Sequence, residues 1–429
     1  MTHTPEKQMD CFHYQKGELF AEEVPLSKIA EQVGTPCYVY SYTELKQQWQ
    51  TLDKALGDLP HRICYAVKAN SNIAILNIFS RLGSGFDIVS IGELERVLAA
   101  DGDPKKIIFS GVGKQTAEII RALEVGIYCF NVESEAELNR LLDIAKKQKK
   151  IIPIALRINP NIDARTHPYI ATGLHENKFG IELNRVLPLA RKIKTNSHIK
   201  LLGIGCHIGS QLTQLSPFTS AIYCLIDLYE KIKNEGITLE HLDIGGGLGV
   251  TYQNEQPPTI AEYAAVLRSK FKKYPIEIIV EPGRVLTANA GVLLTRVEYL
   301  KHNHQKNFAI VDAAMNDFLR PALYNAWQNI IPVIPHNKAE EKDYDIVGPV
   351  CESADFLGKN RLLALQEGDL LAICSAGAYG FAMSSNYNSR PRAAEVLVKK
   401  NKFHIIRQRE KINELFAQET MLKEKTDGF

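Results

Sequence analysis

A lysine that closes a short apolar run is a place where a fold can hold an amine still and partly out of water. Lys68 stands at the end of Ile63-Cys64-Tyr65-Ala66-Val67 and before Ala69-Asn70. Desolvation there lowers the cost of the neutral amine, the form that attacks a carbonyl carbon. Alone, Lys68 reads more simply as a strand-end lysine whose stem lies on apolar surface. Asp243-Ile244-Gly245-Gly246-Gly247-Leu248-Gly249 is a glycine-rich turn directly after another apolar run. Backbone N–H groups in such a turn can cradle a phosphate, and a plain tight turn is the other reading. The pattern is not G-x-G-x-x-G opening a helix, so a dinucleotide fold has little support. Glu281-Pro282-Gly283-Arg284 closes a further run. Its carboxylate suits a ring nitrogen or an ammonium and its guanidinium a phosphate or carboxylate, although a buried Glu–Arg pair fits the same residues. His207, with Ser210 and Gln211 just after it, offers an aromatic face, a titratable nitrogen and anion donors.

These residues need elements to position them, and the hydrophobic pattern supplies a repeating one from about residue 38 to 285. Strand-like runs lie at 63–67, 86–89, 107–110, 127–132, 151–158, 201–207, 240–244 and 276–281. Helical periodicity fills 71–82, 91–100, 134–148, 182–195, 216–233 and 260–273, with Ser134 and Glu137 forming a capping box. Strand–helix alternation argues for a parallel sheet, and eight repeats in roughly 250 residues match an α/β (β/α)8 TIM-type barrel. A doubly wound open sheet is the alternative. After about residue 286 the runs at 291–299, 308–311, 343–347, 369–374 and 394–398 are β-rich and broken by Gly, Pro and Asn, which reads as an all-β domain. The expected organisation is a barrel over 36–285 and a β domain built from 1–35 and 286–402, joined through N-terminal strands. A charged, helix-prone extension occupies 403–429.

In such a barrel the chemistry sits at the C-terminal ends of the strands. Those positions read Lys68, Asp87, Ser110, Asn131, Arg157, His207, Gly245-Gly246-Gly247 and Glu281. An amine, a phosphate turn, a carboxylate for a ring nitrogen and a stacking histidine together describe a site for pyridoxal 5'-phosphate. Lys68 would hold the aldehyde as a Schiff base, and Glu281 would keep the pyridine nitrogen protonated.

The bulk properties agree. With 429 residues, 45% apolar and 23% charged, the chain is an ordinary globular protein with room for two domains. A net charge of +2 leaves no basic surface for nucleic acid. The N-terminus carries no apolar targeting segment, and no run reaches membrane-spanning length. Eight cysteines without a C-x-x-C pair point to a reduced, cytoplasmic protein and give a metal site no support.

At this point the chain closely resembles the diaminopimelate decarboxylases, fold type III pyridoxal-phosphate enzymes of lysine biosynthesis. The resemblance rests on Tyr65-Ala66-Val67-Lys68-Ala69-Asn70, Gly85-Phe86-Asp87-Ile88-Val89-Ser90, the His207 and glycine segments, and Glu281 to Arg284. It continues through Val311 to Tyr324, Val347 to Asp355, Gly377-Ala378-Tyr379-Gly380 and Asn386 to Arg392, and spans about residues 35–400. Ala314 and Ala354 stand where the family tends to have glycine. The resemblance implies that Lys68 is the Schiff-base lysine, that His207 stacks on the cofactor, and that Glu281 pairs with its nitrogen. It implies that Gly245–Gly247, Ser210 and Tyr379 bind phosphate, with Asp87, Arg157, Gly283 and Arg284 also at the cofactor. Arg284, Arg320, Tyr324, Glu352 and Tyr379 would surround the substrate, and Cys351 would be the proton donor. In this family Cys351 and Glu352 reach the partner subunit's site, which implies a homodimer with shared sites. A decarboxylase for ornithine, arginine or carboxynorspermidine would leave Arg320 without an anion to meet. A racemase of the same fold would place an arginine, not Glu281, at the ring nitrogen.

Overall fold

A computed structural model describes residues 11–163, 172–173, 177–336 and 340–422. The described residues divide into two compact units. One takes Cys11, Ser41–Val292 and Cys374–Ala382; the other takes Phe12–Tyr40, Leu293–Ile373 and Met383 onward.

The first unit holds eight parallel strands: β1 (His61–Ala66), β2 (Gly85–Ile88), β3 (Ile107–Phe109), β4 (Cys129–Val132), β5 (Ile152–Asn159), β6 (Ile199–Gly205), β7 (His241–Asp243) and β8 (Glu277–Val280). Each strand pairs with the next. β8 returns to β1 through Val280 opposite Ile63, and β4 meets β5 with Phe130 opposite Ile154. The sheet therefore closes, which excludes the open doubly wound alternative. The near-continuous apolar strands fit any parallel sheet covered on both faces; the pairing of β8 with β1 is what closes this one. Helices occupy the intervals, including Glu135–Gln148, whose Ser134 cap accepts the Glu137 N–H at 3.1 Å as its sequence pattern demands. The helix Thr116–Val125, between β3 and β4, was not among the expected ones.

Inside the barrel, Cys64, Ile108, Cys129, Ala155, Leu202 and Ile279 form one packed layer, with cysteine acting as a small hydrophobe. Below it, at the N-terminal end of the strands, the His241 ring fills space that a side chain at Gly203 would need. Its Nδ1 lies 3.1 Å from the Tyr128 hydroxyl, and Arg62 stacks over that tyrosine while pairing with Glu277 at 2.9 Å. The floor is polar, and His241 is fully buried in it.

In the second unit the main sheet runs in the order Phe356–Leu363, Lys342–Val347, Asn307–Val311, Gly291–His302, Cys37–Ser41, Ala394–Lys399 and Lys402–Arg407. An N-terminal strand, Cys37–Ser41, is thus built into the C-terminal sheet. The expectation of a separate extension from residue 403 is corrected here. Lys402–Arg407 is the second arm of a hairpin, with Phe403 opposite Val398 and Ile405 opposite Val396. The strand itself is half-exposed and not alternating in burial, and burial of Val396 and Val398 on its partner fixes the register. Beyond it the described residues hold one short 3-10 turn, Ile412–Glu414, and residues 423–429 lie outside them. Among the described residues no helix is long and apolar enough to cross a membrane, and no His, Cys, Asp and Glu cluster could hold a metal ion.

Candidate active site

The strand ends of the barrel converge on a cleft of about 530 Å3 lined by Lys68, Asp87, Ser110, Asn131, Arg157, His207, Asp243 and Glu281, among others. Lys68 sits in a single 3-10 turn, Val67–Ala69, that leaves β1. Its ammonium meets Asp87 Oδ2 at 2.9 Å; the lysine side chain is 37% exposed and the aspartate fully buried. Burial alone pulls the amine's pKa down, as the sequence reading assumed. Asp87 and Glu281 pull it up harder, and the net shift is upward. Lys68 therefore rests as an ammonium ion. Asp87 Oδ1 is buried and has no hydrogen-bond partner.

Across the mouth, burial raises the Glu281 carboxyl well above the usual carboxylate range, and the charges of Asp243 and Asp87 add to it. Asp243, on the neighbouring strand, is pushed up by burial to about 6 and shares a hydrogen bond with Glu281. Two carboxyls that close hold a proton between them. His207 is held neutral by burial, reinforced by Lys68 and Arg157, and its Nδ1 accepts the Gly246 N–H at 3.1 Å.

That bond narrows the phosphate reading of the glycine turn. The Gly245 N–H donates to Asp243 Oδ1 at 2.9 Å, so two of the three amides are already committed, one to Asp243 and one to His207. Gly247 is left to meet an outside anion. The glycines are needed for close packing as well: a side chain at Gly246 would collide with the Glu281 carbonyl, and one at Gly245 would lie 2.6 Å from the Cys206 carbonyl.

A second cluster gathers a buried guanidinium and hydroxyl groups, donors of the kind an anion needs. Arg284 is buried, donates to Ser210 Oγ at 3.0 Å and to the Tyr252 hydroxyl at 2.6 Å, and lies 4.8 Å from the Tyr379 ring centre. Tyr252 escaped the sequence reading, since nothing local marks a tyrosine whose partner is 32 residues away. On the opposite wall Arg157 pairs with Glu133 at 2.6 Å and lies 4.9 Å from the Phe179 ring. Glu133 also accepts the N–H groups of Gly111 and Gly180, at 3.1 and 2.9 Å. Behind it Lys114, almost fully buried, bonds Glu137 at 2.7 Å and the carbonyls of Gly111 and Asn131. None of Glu133, Lys114 or Phe179 was singled out from sequence, although Glu133 directly follows strand β4.

Comparison with known proteins places this geometry. Residues 42–288 match the family model described as pyridoxal-dependent decarboxylase, pyridoxal binding domain. The diaminopimelate decarboxylase of Vibrio cholerae is 58% identical over 97% of this chain and all of its own length. The chain belongs to the diaminopimelate decarboxylase family. It is a carboxy-lyase by that membership. Solved structures agree: the Helicobacter pylori diaminopimelate decarboxylase in complex with L-lysine superposes with a TM-score of 0.89 at 42% identity, covering 92% of this chain and 99% of that one. The M. jannaschi diaminopimelate decarboxylase gives a TM-score of 0.91 at 36% identity, covering 96% of this chain and 98% of that one.

Among the family's expected residues, Lys68, Asp87, Arg157, His207 and Glu281 share the cleft, and Ser210, Arg284 and Tyr379 form the second cluster. Gly283 follows Glu281 with its Cα facing Ala66, Ala69 and the Tyr379 hydroxyl. Arg320, Tyr324, Cys351 and Glu352 belong to the other unit. There Arg320 is buried on the short helix Arg320–Tyr324, 6.0 Å from the Tyr324 ring. Cys351 and Glu352 are exposed, and the Cys351 N–H is held by Asn388 at 3.0 Å.

Proposed function

We propose that the chain decarboxylates meso-2,6-diaminopimelate to L-lysine and CO2, with pyridoxal 5'-phosphate held in the barrel cleft. The observation that carries this reading is the amine of Lys68 facing two carboxyl groups, one of which, Glu281, is driven to hold a proton. The donor set suits the cofactor. Asp87, which has one buried oxygen without a hydrogen-bond partner, lines the cleft, and Arg284 with Ser210 and Tyr379 suits a phosphate. When bound, pyridoxal phosphate supplies an aldehyde that links reversibly to amines and a ring that takes up the electron pair left as a Cα bond breaks.

The chain's own residues prepare that chemistry. Lys68 must lose a proton before it can attack, and Asp87 Oδ2, 2.9 Å from Nζ, is the acceptor in reach. Glu281 would share its proton with the ring nitrogen, and neutral His207 would present its face without adding positive charge. Arg284, Ser210, Tyr379 and the Gly247 amide would grip the phosphate, with Gly245 and Gly246 shaping the turn. Arg157 and Gly283 would line the cofactor. The distal end of the substrate carries a carboxylate and an ammonium. Arg320, buried beside Tyr324, suits the first and the exposed Glu352 the second. Arg284 is already engaged with Ser210 and Tyr252, which favours phosphate over substrate as its ligand.

Cys351 would return a proton to Cα. Its exposure, and that of Glu352, supports a homodimer in which each copy completes the other's site. We place the protein in the cytoplasm, since its eight cysteines stand as free thiols. The test is CO2 release from meso-diaminopimelate beside ornithine, arginine and carboxynorspermidine; preference for any of the last three overturns the substrate. Lys68→Ala should abolish turnover together with the borohydride-trapped lysine adduct, and retained turnover would remove Lys68 from its role.

A further inference from the structure

The turn that carries Lys68 and the cluster around Arg284 are tied together by a segment distant in sequence, Gly377–Tyr379. The Asn70 side chain donates from Nδ2 to the Gly377 carbonyl at 3.1 Å, and the Tyr379 N–H donates to the Ala69 carbonyl at 2.8 Å. Asn70 is itself over-determined. It is 4% exposed, its Oδ1 accepts the Asn72 N–H at 3.1 Å, and its carbonyl accepts the buried Tyr65 hydroxyl at 2.9 Å. On the other side, a side chain at Gly377 would collide with the Thr287 carbonyl, so the segment lies directly on the turn that begins at Arg284. Tyr379 holds a left-handed backbone, φ 55°, and sets its ring 4.8 Å from the Arg284 guanidinium. A non-glycine residue keeps such a conformation only where its surroundings enforce it.

We infer that Asn70 is a positioning residue that couples the placement of the Lys68 amine to the grip of the Arg284–Tyr379 cluster on an anion, so that seating the phosphate end of the cofactor sets the lysine. The inference rests on the pyridoxal-phosphate reading of the site. Asn70 touches neither reacting group; it acts through Gly377 and Tyr379. Replacing its amide by a carboxylate keeps the acceptor for Asn72 but sets an oxygen against the Gly377 carbonyl, which loosens both ends at once.

The test uses full-length Asn70→Asp and two readouts. The first is the dissociation constant for pyridoxine 5'-phosphate, which carries the phosphate but no aldehyde and reports the grip alone. The second is the rate at which pyridoxal 5'-phosphate forms a borohydride-trappable adduct on Lys68. Both should worsen by about tenfold, the scale of one buried hydrogen bond replaced by a repulsive contact, while the melting temperature of the ligand-free protein stays within a few degrees. A dissociation constant within twofold of the wild type overturns the coupling, as does a fall in melting temperature with both readouts unchanged. If Asn70→Asp does not fold, Asn70→Ala removes the same bond without adding charge and is judged by the same criteria. Failure of the wild type to bind either compound would instead overturn the cofactor reading, so the two failures are distinct.

Discussion

The barrel floor makes a quantitative claim about acid stability. His241 is fully buried, and burial, with a smaller push from Arg62, lowers its pKa to about 3. In the unfolded chain the same ring titrates near its ordinary value, about 6.5. Between those limits the unfolded state binds the extra proton, so the folded state loses stability as pH falls through this window. Integrated from pH 7 to pH 5, that linkage amounts to about 2 kcal/mol, nearly all of it below pH 6.5. His241→Phe removes the titrating group and keeps a flat ring in the space left open by Gly203. The assay is urea denaturation at pH 7 and pH 5, followed by the fluorescence of Trp49 in a Trp327→Phe background. Trp49 is buried in the barrel unit, and these are the chain's two tryptophans. The wild type should lose about 2 kcal/mol more than the His241→Phe variant over this span. Equal losses, within about 0.5 kcal/mol, would refute the reasoning and mean that the folded floor admits the proton.

Three further substitutions probe the upper half of the barrel. Lys114→Met should cost about 3–5 kcal/mol in denaturant melts, because it strands buried Glu137, and adding Glu137→Leu should restore most of the loss. Gly246→Ala should weaken pyridoxal-phosphate binding at least about tenfold by equilibrium fluorescence, since the new methyl displaces the Glu281 backbone; unchanged affinity would mean that the turn yields without moving Glu281. Glu281→Gln should lower kcat by about a hundredfold or more in the CO2 assay, because an amide cannot share a proton with a ring nitrogen.

Strand ends were the most legible part of this chain. All eight barrel strands lie where apolar runs were read, because a strand buried on both faces writes itself as a continuous hydrophobic stretch. The cleft residues followed from that frame, and Lys68, Asp87, Arg157, His207 and Glu281 share it. Less legible were interactions set by tertiary packing. The upward shift of Lys68 depends on carboxylates from β2 and the end of β8, and the desolvation argument from β1 alone pointed the other way. Phe356–Leu363 went unread as a strand because Gly358 and the left-handed Asn360 break its alternation. Lys402–Arg407 was masked because its burial does not alternate: Ile405 is exposed, while Arg407 is half-buried and pairs with buried Glu395 at 2.6 Å. In the supporting shell of Glu133, Lys114, Tyr252 and Asn70, the contacts that matter to the site reach partners 17 to 307 residues away, which no local pattern encodes.

The buried cysteines of the barrel have a practical consequence for watching it open. Six of the eight thiols are buried, Cys224 is intermediate and Cys351 is exposed. Burial raises the thiols of Cys64 and Cys129, so they stay protonated and poorly nucleophilic even where a reagent reaches them. Alkylation of the folded protein would therefore mark Cys351 first and Cys224 next. Modification of Cys64 or Cys129 would date the moment at which the strands themselves part, turning the barrel lining into a chemical clock for unfolding.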